Sequence, residues 1–361
     1  MFPLIPLRRT KRFAEDAYSR QIACTESKVI INGILLTGIV EELLDEILIL
    51  VWGVTSFACI PFEKLLKQDE RLEDSEIVAP DWILDVRATG ATIVGLVTAQ
   101  NAFLTYSTKM KTFLQRFNCE QQSLLYAAQL YLGDGQGITV ATGTVFNEIQ
   151  LWLPFPSSTA DKTTATFVTA ISKRLVGHEG CIFSLRFSEN GNLIASCSDD
   201  RTIRIWDVKE AKCLAIGFAH IARVWDVRFI PCTDVSDENI YLLSTSEDTS
   251  ALLWQFSPTT RKLKVQERYH GHWGKHVWSQ DVSSEGTIAV TGGNDGSVNI
   301  WDIGGWKGRS SRGTDDLFWT EKSLYVTVDG KERIDPIKGY KCVDDDRLMM
   351  TTKSGYFETT F

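Results

Sequence analysis

Three apolar segments separated by polar turns follow one another in residues 177–208, GHEGCIFSLRFSENGNLIASCSDDRTIRIWDV, and apolar positions alternate in the last of them, TIRIWDV. Such alternation is typical of strands that bury one face. We predict three strands here, CIFSLRF, LIASCS and TIRIWDV, joined by the turns ENGN and DDR. ENGN favours a hairpin turn because Gly and Asn tolerate positive φ. The stretch therefore predicts one small antiparallel sheet.

The same pattern recurs in two further stretches of the chain, with four positions in phase. In each repeat an Asp lies six residues before a Trp, and a Ser or Thr lies four residues before that Asp. A His leads each repeat, and the polar insertion PCTDVSDEN at residues 231–239 explains the greater length of the second. The positions are His178, Ser196, Asp200 and Trp206; His220, Ser244, Asp248 and Trp254; and His272, Thr291, Asp295 and Trp301.

The leading GH and the closing WD of the first repeat resemble the signature of WD repeats, which build β-propellers. The resemblance implies that the four positions of each repeat form one hydrogen-bonded chain, since buried polar groups must be paired. The expected fold class is all-β, a WD-repeat β-propeller with seven blades of four antiparallel strands and an incomplete last blade. Such a propeller occupies ~280–315 residues as one domain, which fits a chain of 361 residues.

The chain divides into a basic N-terminal arm and one propeller. Residues 1–20 are read either as a disordered terminus or as an arm that reaches RNA or an acidic partner. The polar stretch 157–172 predicts a loop between blades. The N-terminal segment either supplies the strand that the last blade lacks, or the chain is a fragment. Within the propeller, 21–361, we expect degenerate blades at 21–67, 80–118 and 119–156, signature blades at 173–215, 216–265 and 266–304, and a partial blade at 318–361.

Composition narrows the class of protein. The net charge of −8 disfavours sequence-independent binding of nucleic acid, which relies on Lys and Arg. The eight cysteines are scattered, without a CxxC pair or a signal peptide, so free thiols and a cytoplasmic location are expected. The uncharged run 47–62 has 16 residues, short of the ~20 that cross a bilayer as a helix. Two adjacent strands explain it better, and no membrane insertion is expected.

Residues that suggest chemistry have simpler structural explanations. His270, His272 and His276 are spaced like metal ligands, but His272 already fills a repeat position and no other ligand types cluster nearby. The His, Ser and Asp sets recur once per repeat, whereas a catalytic triad occurs once. GDGQG at 133–137 precedes a strand, so it predicts a turn and not a phosphate loop. We expect no enzyme, and no cofactor, metal or small-molecule substrate.

A closer resemblance covers residues 80–305. DWILD, TAQNAF and ATGTVFNEIQLW, followed by GHEGCIFSLRFS and SDDRTIRIWD, resemble the N-terminal propeller of a WD-repeat family of regulatory subunits. These subunits serve the tRNA ribose 2′-O-methyltransferase that acts on the wobble nucleotide, position 34, and they are longer, with further propellers. The resemblance implies a non-catalytic partner of the methyltransferase catalytic subunit, which itself brings S-adenosylmethionine and the catalytic residues. The propeller is then expected to bind that enzyme and to help place the anticodon loop, with tRNA as a partner reached through the complex.

Two alternatives stay open. Any propeller with a partner-binding face also suits a general protein-interaction scaffold, in endosomal trafficking or in the assembly of a ubiquitin ligase. The chain also fits a truncated product of a longer multi-propeller protein.

The starts of the inner strands of a propeller line one face around its channel, so residues there are candidates for partner binding. The alternative is that the large aromatic side chains pack between neighbouring blades. The candidates are Phe183, Arg223, Trp225, His276 and Trp278, together with Asp199, Glu247 and Asn294, each directly before the turn Asp of its repeat.

Overall fold

A computed structural model of the chain contains strands and turns, without a helix in the residues it describes. Backbone and side chains are described for residues 77–89, 92–133, 137–154, 166–231, 238–273, 276–283, 286–293 and 299–304, and the backbone is described for the remaining strands given below. The chain forms two compact units, unit I (Gly38–Phe218) and unit II (Met1–Thr37 with Ala219–Phe361). The fold class is all-β, of the WD40 propeller type, as predicted.

Unit I contains sheets 1 to 4, of which sheets 1, 3 and 4 have four strands each and sheet 2 has five. Sheet 1 has β2 (Thr37–Leu43), β3 (Glu46–Trp52), β4 (Ser56–Pro61) and β5 (Glu76–Val78). Sheet 2 has β6 (Ile83–Gly90), β7 (Ile93–Thr98), β8 (Ala102–Ser107), β9 (Thr112–Cys119) and β13 (Thr166–Thr169). Sheet 3 has β10 (Leu125–Gly133), β11 (Gly137–Thr144), β12 (Glu148–Trp152) and β14 (Ile171–Val176). Sheet 4 has β15 (Ile182–Phe187), β16 (Leu193–Ser198), β17 (Thr202–Asp207) and β18 (Lys212–Phe218).

Unit II contains sheets 5 to 7 and a hairpin. Sheet 5 has β19 (Val224–Ile230), β20 (Ile240–Ser246), β21 (Ser250–Ser257) and β22 (Lys262–His270). Sheet 6 has β23 (Val277–Val282), β24 (Ile288–Gly293), β25 (Ser297–Asp302) and β26 (Trp319–Ser323). The hairpin has β27 (Tyr325–Val328) and β28 (Lys331–Ile334). Sheet 7 has β29 (Ile337–Asp344), β30 (Arg347–Thr352), β31 (Gly355–Thr360) and β1 (Ile5–Pro6).

The hydrophobic core lies between successive sheets of the same unit. The first or second strand of one sheet contacts the first strand of the next: β3 with β6, β6 with β10 and β10 with β15 in unit I, and β19 with β23 and β23 with β29 in unit II. Middle strands such as β8 are buried along their whole length, whereas the outer strands β14 and β18 alternate between buried and exposed residues. A strand that is covered on both faces carries a nearly continuous run of apolar residues, and the buried Thr105 and Ser107 of β8 each accept a hydrogen bond from the backbone.

The boundaries of the sheets differ from those of the predicted blades. Strand β14 precedes His178 and pairs with β12 in sheet 3. The first signature blade, predicted at 173–215, therefore wrongly included part of a strand that belongs to the preceding sheet. The outer strands β5, β18, β22 and β26 likewise extend beyond the predicted ends at residues 67, 215, 265 and 304. The His and Trp signature marks inner strands only, so outer strands carry no marker of the sheet they join. The number of blades stays a prediction.

The stretch predicted as a loop at 157–172 contains two strands, so that interpretation was wrong from residue 166 onward. Strand β13 pairs in parallel with β9 and adds a fifth strand to sheet 2. Phe167 of β13 stacks on Phe117 of β9, with ring centroids 5.0 Å apart and planes at 18°. Ser and Thr composition indicated a loop, but the apolar Phe167 finds a partner across the strand pair.

The N-terminal segment supplies a strand to sheet 7. Ile5 pairs with Glu358 and Pro6 with Phe357, antiparallel to β31. This is the first of the two arrangements considered for the last blade. The rest of the predicted arm, residues 1–20, lies outside the described residues.

The predicted four-residue chain is present in sheet 4. The Trp206 indole N–H donates to the Ser196 hydroxyl at 2.8 Å, Ser196 Oγ lies 2.7 Å from His178 Nε2, and His178 Nδ1 lies 2.8 Å from Asp200 Oδ2. Sheet 5 repeats it at almost equal distances: Trp254 to Ser244 2.8 Å, Ser244 to His220 2.8 Å and His220 to Asp248 2.9 Å. We call each such chain a relay.

The pKa values of the His and Asp side chains determine which atom donates and which accepts in each hydrogen bond of a relay. Burial lowers the pKa of His178, and the hydrogen bond and charge of Asp200 oppose this only in part. Burial also disfavours the Asp200 carboxylate, but hydrogen bonds from His178, Thr202 and the Glu179 N–H outweigh it and hold the Asp200 pKa well below its usual value. A neutral His178 therefore donates from Nδ1 to a carboxylate and accepts at Nε2 from the Ser196 O–H. Every donor then has an acceptor, from indole to hydroxyl to imidazole to carboxylate.

In sheet 6 only three of the four relay residues are described, and in sheet 3 the relay is absent from the described residues. In sheet 6, Trp301 donates to Thr291 at 2.8 Å and Thr291 Oγ1 lies 2.9 Å from His272 Nε2, while Asp295 lies outside the described residues. In sheet 3, Trp152 is fully buried, and its N–H finds no acceptor among the described residues. The absence of the relay there explains why the signature is degenerate in that repeat.

We predict that the Ser196→Ala variant destabilises the protein by about 2–4 kcal/mol, since it leaves the Trp206 N–H and His178 Nε2 buried without partners. Ser196→Thr keeps the hydroxyl, as Thr291 does in sheet 6, and should lose less than half as much. Urea unfolding of both variants measures the difference. Equal midpoints for the two variants would contradict the relay.

We predict that acid destabilises the fold from about pH 6.5 downward. His178 and His220 have lowered pKa values in the folded chain, so below pH 6.5 the unfolded chain binds protons that the folded chain does not. Each histidine then removes up to about 2 kcal/mol between pH 6.5 and 5.0. The depressed pKa values of Asp200 and Asp248 add a further loss below about pH 4. Urea midpoints across this range measure the effect.

His178→Gln should flatten the dependence of the urea midpoint on pH, because the variant has no imidazole at this buried position. A stability that is constant between pH 7.5 and 5.0 would show that the buried imidazoles are not held neutral.

Candidate partner-binding surface

The first strands of sheets 2 to 6 share a β-bulge one residue after their start. In each, the pairing register skips one residue. A bulge re-aims the side chain of the extra residue and bends the strand locally. The bulged residues are Leu84, Tyr126, Phe183, Trp225 and Trp278. Four of these five side chains are aromatic, and three belong to the predicted partner-binding face.

In unit II the bulged residues form an aromatic cluster between sheets 5 and 6. The rings of Trp225 and Trp278 lie 4.6 Å apart at 42°, and His276 stacks on Trp278 at 4.6 Å and 13°. His276 also contacts Trp225 at 5.5 Å. Trp278 keeps 38% of its surface exposed. The cluster thus packs between neighbouring sheets, as the alternative interpretation had it, and still presents an aromatic surface to solvent.

Charged groups border this cluster. The Arg223 guanidinium lies 5.6 Å above the Trp225 ring and forms an ion pair with Glu247, with 3.1 Å between Nε and Oε2. Glu247 Oε1 also lies 4.0 Å from His276 Nε2. His276 has a φ of 70°, a left-handed conformation that costs a non-glycine residue about 1–2 kcal/mol. The arrangement places one carboxylate between a guanidinium and an imidazole beside two indoles.

The remaining candidates lie elsewhere. Phe183 and Asp199 belong to unit I, where Phe183 packs against Tyr126 with ring centroids 5.8 Å apart. Asp199 is exposed beside the relay carboxylate Asp200. Asn294 lies outside the described residues. The structure therefore brings Arg223, Trp225, Glu247, His276 and Trp278 together.

Sequence reasoning missed several residues of unit I. Tyr126 occupies the bulge of sheet 3, as Phe183 does in sheet 4, and Trp82, Leu124 and Phe146 are large exposed apolar residues near the strand starts. The signal was available, because LLYAAQ aligns with CIFSLR once the greater length of the hairpin in sheet 3 is allowed for. Counting back from the Trp hid this match, since β10 and β11 have 9 and 8 residues whereas β15 and β16 have 6 each.

Other kinds of site find no support in the described residues. The hydroxyls of Ser196, Ser244 and Thr291 belong to fully buried residues, so the His, Ser and Asp sets serve the fold and offer no accessible nucleophile. Within the part of the chain that the structure describes, no three metal-ligating side chains lie together. The same part of the chain also has no helix with the length and apolar character needed to cross a bilayer. Cys119, Cys181 and Cys213 are free thiols.

Comparison with protein families matches the WD domain, G-beta repeat, to residues 170–207 and 263–302. These two segments contain the relay residues of sheets 4 and 6.

Curated proteins with similar sequences include the tRNA (34-2′-O)-methyltransferase regulator WDR6 of Mus musculus, 29% identical over 266 residues, which are 70% of this chain and 22% of that protein. The human regulator is 29% identical over 69% of this chain and 21% of its own length. The chain thus spans about a fifth of the length of these relatives. Nuclear distribution protein PAC1 of Arthroderma benhamiae is 29% identical over 48% of this chain and 40% of its own length.

Among solved structures, the C-terminal WD40 domain of Sif2 matches with a TM-score of 0.59, at 15% identity, over 87% of this chain and 78% of that chain. The computationally designed Ika8 protein matches with a TM-score of 0.57 at 16% identity, over 87% of this chain and 80% of that one. These likenesses concern the fold. The chain contains WD40 repeats and has a fold of the β-propeller class, and its sequence resembles that of the tRNA (34-2′-O)-methyltransferase regulators.

Proposed function

We propose that this chain is a non-catalytic WD40 subunit that binds a tRNA ribose 2′-O-methyltransferase and positions it for methylation of the wobble nucleotide. The observation that supports this most is the sequence similarity to the methyltransferase regulators, which extends over most of the chain. In this proposal the catalytic subunit supplies S-adenosylmethionine and the reacting groups. The propeller contributes orientation, which lowers the entropic part of the barrier, and the complex acts in the cytoplasm.

The geometry of the described residues agrees with a binding role. The relay histidines and hydroxyls are buried and bonded to one another. Two aromatic side chains that are left partly exposed, Tyr126 and Trp278, lie at bulges of first strands. Tyr, Trp and Arg are the residues that most often anchor protein partners. Trp278 and Arg223 are side chains of this type, positioned before any partner arrives.

A general interaction scaffold is the second candidate. The similarity to nuclear distribution protein PAC1 supports it, because a protein with a different named role shares comparable identity with this chain over a shorter stretch. The two proposals differ in a measurable way, since only the first links the chain to tRNA.

We predict that deletion of the gene abolishes 2′-O-methylation at nucleotide 34 and that the reintroduced gene restores it. Mass spectrometry of purified tRNA measures the modification, and ribose methylation elsewhere in the same tRNAs is the internal control. Affinity purification of the tagged protein from the same cells should recover a methyltransferase. Unchanged methylation at nucleotide 34 would refute the first proposal, and a partner set without tRNA-modifying enzymes would favour the scaffold.

A further inference from the structure

We propose that unit I carries a docking surface for a segment of another protein that combines apolar side chains with Lys or Arg. We call this surface the unit I rim and define it by Trp82, Leu124, Tyr126, Phe146 and Phe183. The inference rests on the proposed function only for the name of the partner. The surface itself follows from contacts within unit I.

Backbone hydrogen bonds place the rim residues side by side. The Ala99 N–H donates to the Trp82 carbonyl at 2.7 Å, and the Leu125 N–H donates to the Ala99 carbonyl at 2.9 Å. The Val145 N–H then donates to the Leu124 carbonyl at 3.4 Å. Sheets 2 and 3 are thus joined at this end, with Trp82, Leu124 and Phe146 next to the bonded groups.

The connection continues to sheet 4. The Cys181 thiol donates to the Val145 carbonyl at 3.5 Å, and the Asp199 N–H donates to the Cys181 carbonyl at 2.9 Å. Tyr126 and Phe183 contact each other across the same interface. The rim therefore runs over three sheets on a backbone that these bonds hold in place, and a preformed surface loses little entropy when a partner binds.

The rim is apolar and exposed. Phe146 is 67% exposed, Leu124 53%, Trp82 52% and Tyr126 36%, although their neighbours Leu125 and Ala99 are nearly fully buried. Single exposed apolar residues are ordinary, but several large ones in contact mark interaction sites. Large aromatic residues also provide most of the binding energy in protein interfaces.

Charges at the rim favour a basic protein segment. Asp81, Glu120, Glu179 and Asp199 lie on the strand starts and turns that form the rim, and the last three are exposed. The nearby arginines are engaged, Arg174 with Glu148 at 2.6 Å and Arg201 over the Phe218 ring at 5.6 Å. Excess carboxylate attracts Lys and Arg and repels phosphate. An RNA ligand is therefore disfavoured at this surface.

The test is site-specific photocrosslinking in the cells of the source organism. Phe146→p-benzoylphenylalanine is introduced into the full chain, and the crosslinked peptide is identified by mass spectrometry. We expect one partner segment that carries large apolar residues with Lys or Arg beside them. The same probe at Met110, which is also 67% exposed but lies in the β8–β9 turn, should not capture that segment.

A pair of double variants gives the second readout. Leu124→Ser with Phe146→Ser should reduce recovery of the crosslinked protein by ~10-fold or more, as expected for two anchor residues. The matched control, Met110→Ser with Ile216→Ser, removes side chains of 67% and 51% exposure and should leave recovery unchanged. If the rim variant does not fold, the photocrosslink alone decides.

Crosslinks to RNA, to a second copy, to another part of this chain or to nothing reproducible would overturn the docking proposal. Capture of a basic apolar segment from a protein that is not a methyltransferase supports docking and counts against the proposed function. If wobble methylation is normal in cells that carry the rim variant but is lost on gene deletion, the proposed function is supported and the unit I rim is not the surface on which it depends.

Discussion

One hydroxyl in the middle of a blade constrains the geometry around it. Ser196 Oγ accepts from the Trp206 indole and contacts the His178 imidazole, so it joins the third strand of sheet 4 to the segment that precedes the first. Asp200 closes the chain from the turn and also accepts from the Glu179 N–H. Because every group in this chain is buried, a shift of register would leave several polar groups unpaired at once.

The relay therefore fixes more than the core. His178 and Asp200 lie at the end of sheet 4 where the bulged Phe183 and the exposed Asp199 are also found. Sheet 5 has the same order, with His220 and Asp248 next to Trp225 and Glu247. Interior polar bonds hold the strand starts in place, and the strand starts present the aromatic side chains. In sheet 3, which has Trp152 without a relay, packing against sheet 2 holds the comparable end together with the Asn101 bonds to Gln121 and Gln150.

Inner strands were predictable from sequence, since two-sided burial leaves a strong apolar signal and the relay residues recur at constant spacing. The turn at Gly191 was predictable too, because its φ of 69° is one that glycine adopts freely. Arg201 and Thr249 adopt similar φ values in the relay turns, and no residue preference reveals this. Outer strands escaped assignment for a different reason: half of their residues face solvent, and only pairing decides which sheet they join. Tyr126 escaped because the longer strands β10 and β11 displaced its spacing from Trp152, and His276 was named without any sign of its left-handed backbone.

Strand β13 changes what sheet 2 offers to its surroundings. An outermost strand normally exposes a row of unused N–H and C=O groups that any extended peptide can recruit. Here residues 166–169 pair with β9, and the Glu120 N–H donates to the Thr169 carbonyl at the end of the pair. The protein thus pairs the free edge of β9 with a strand of its own, β13, which has only four residues. β13 becomes the edge strand in place of β9, which has eight. A very short edge strand offers little template for self-association.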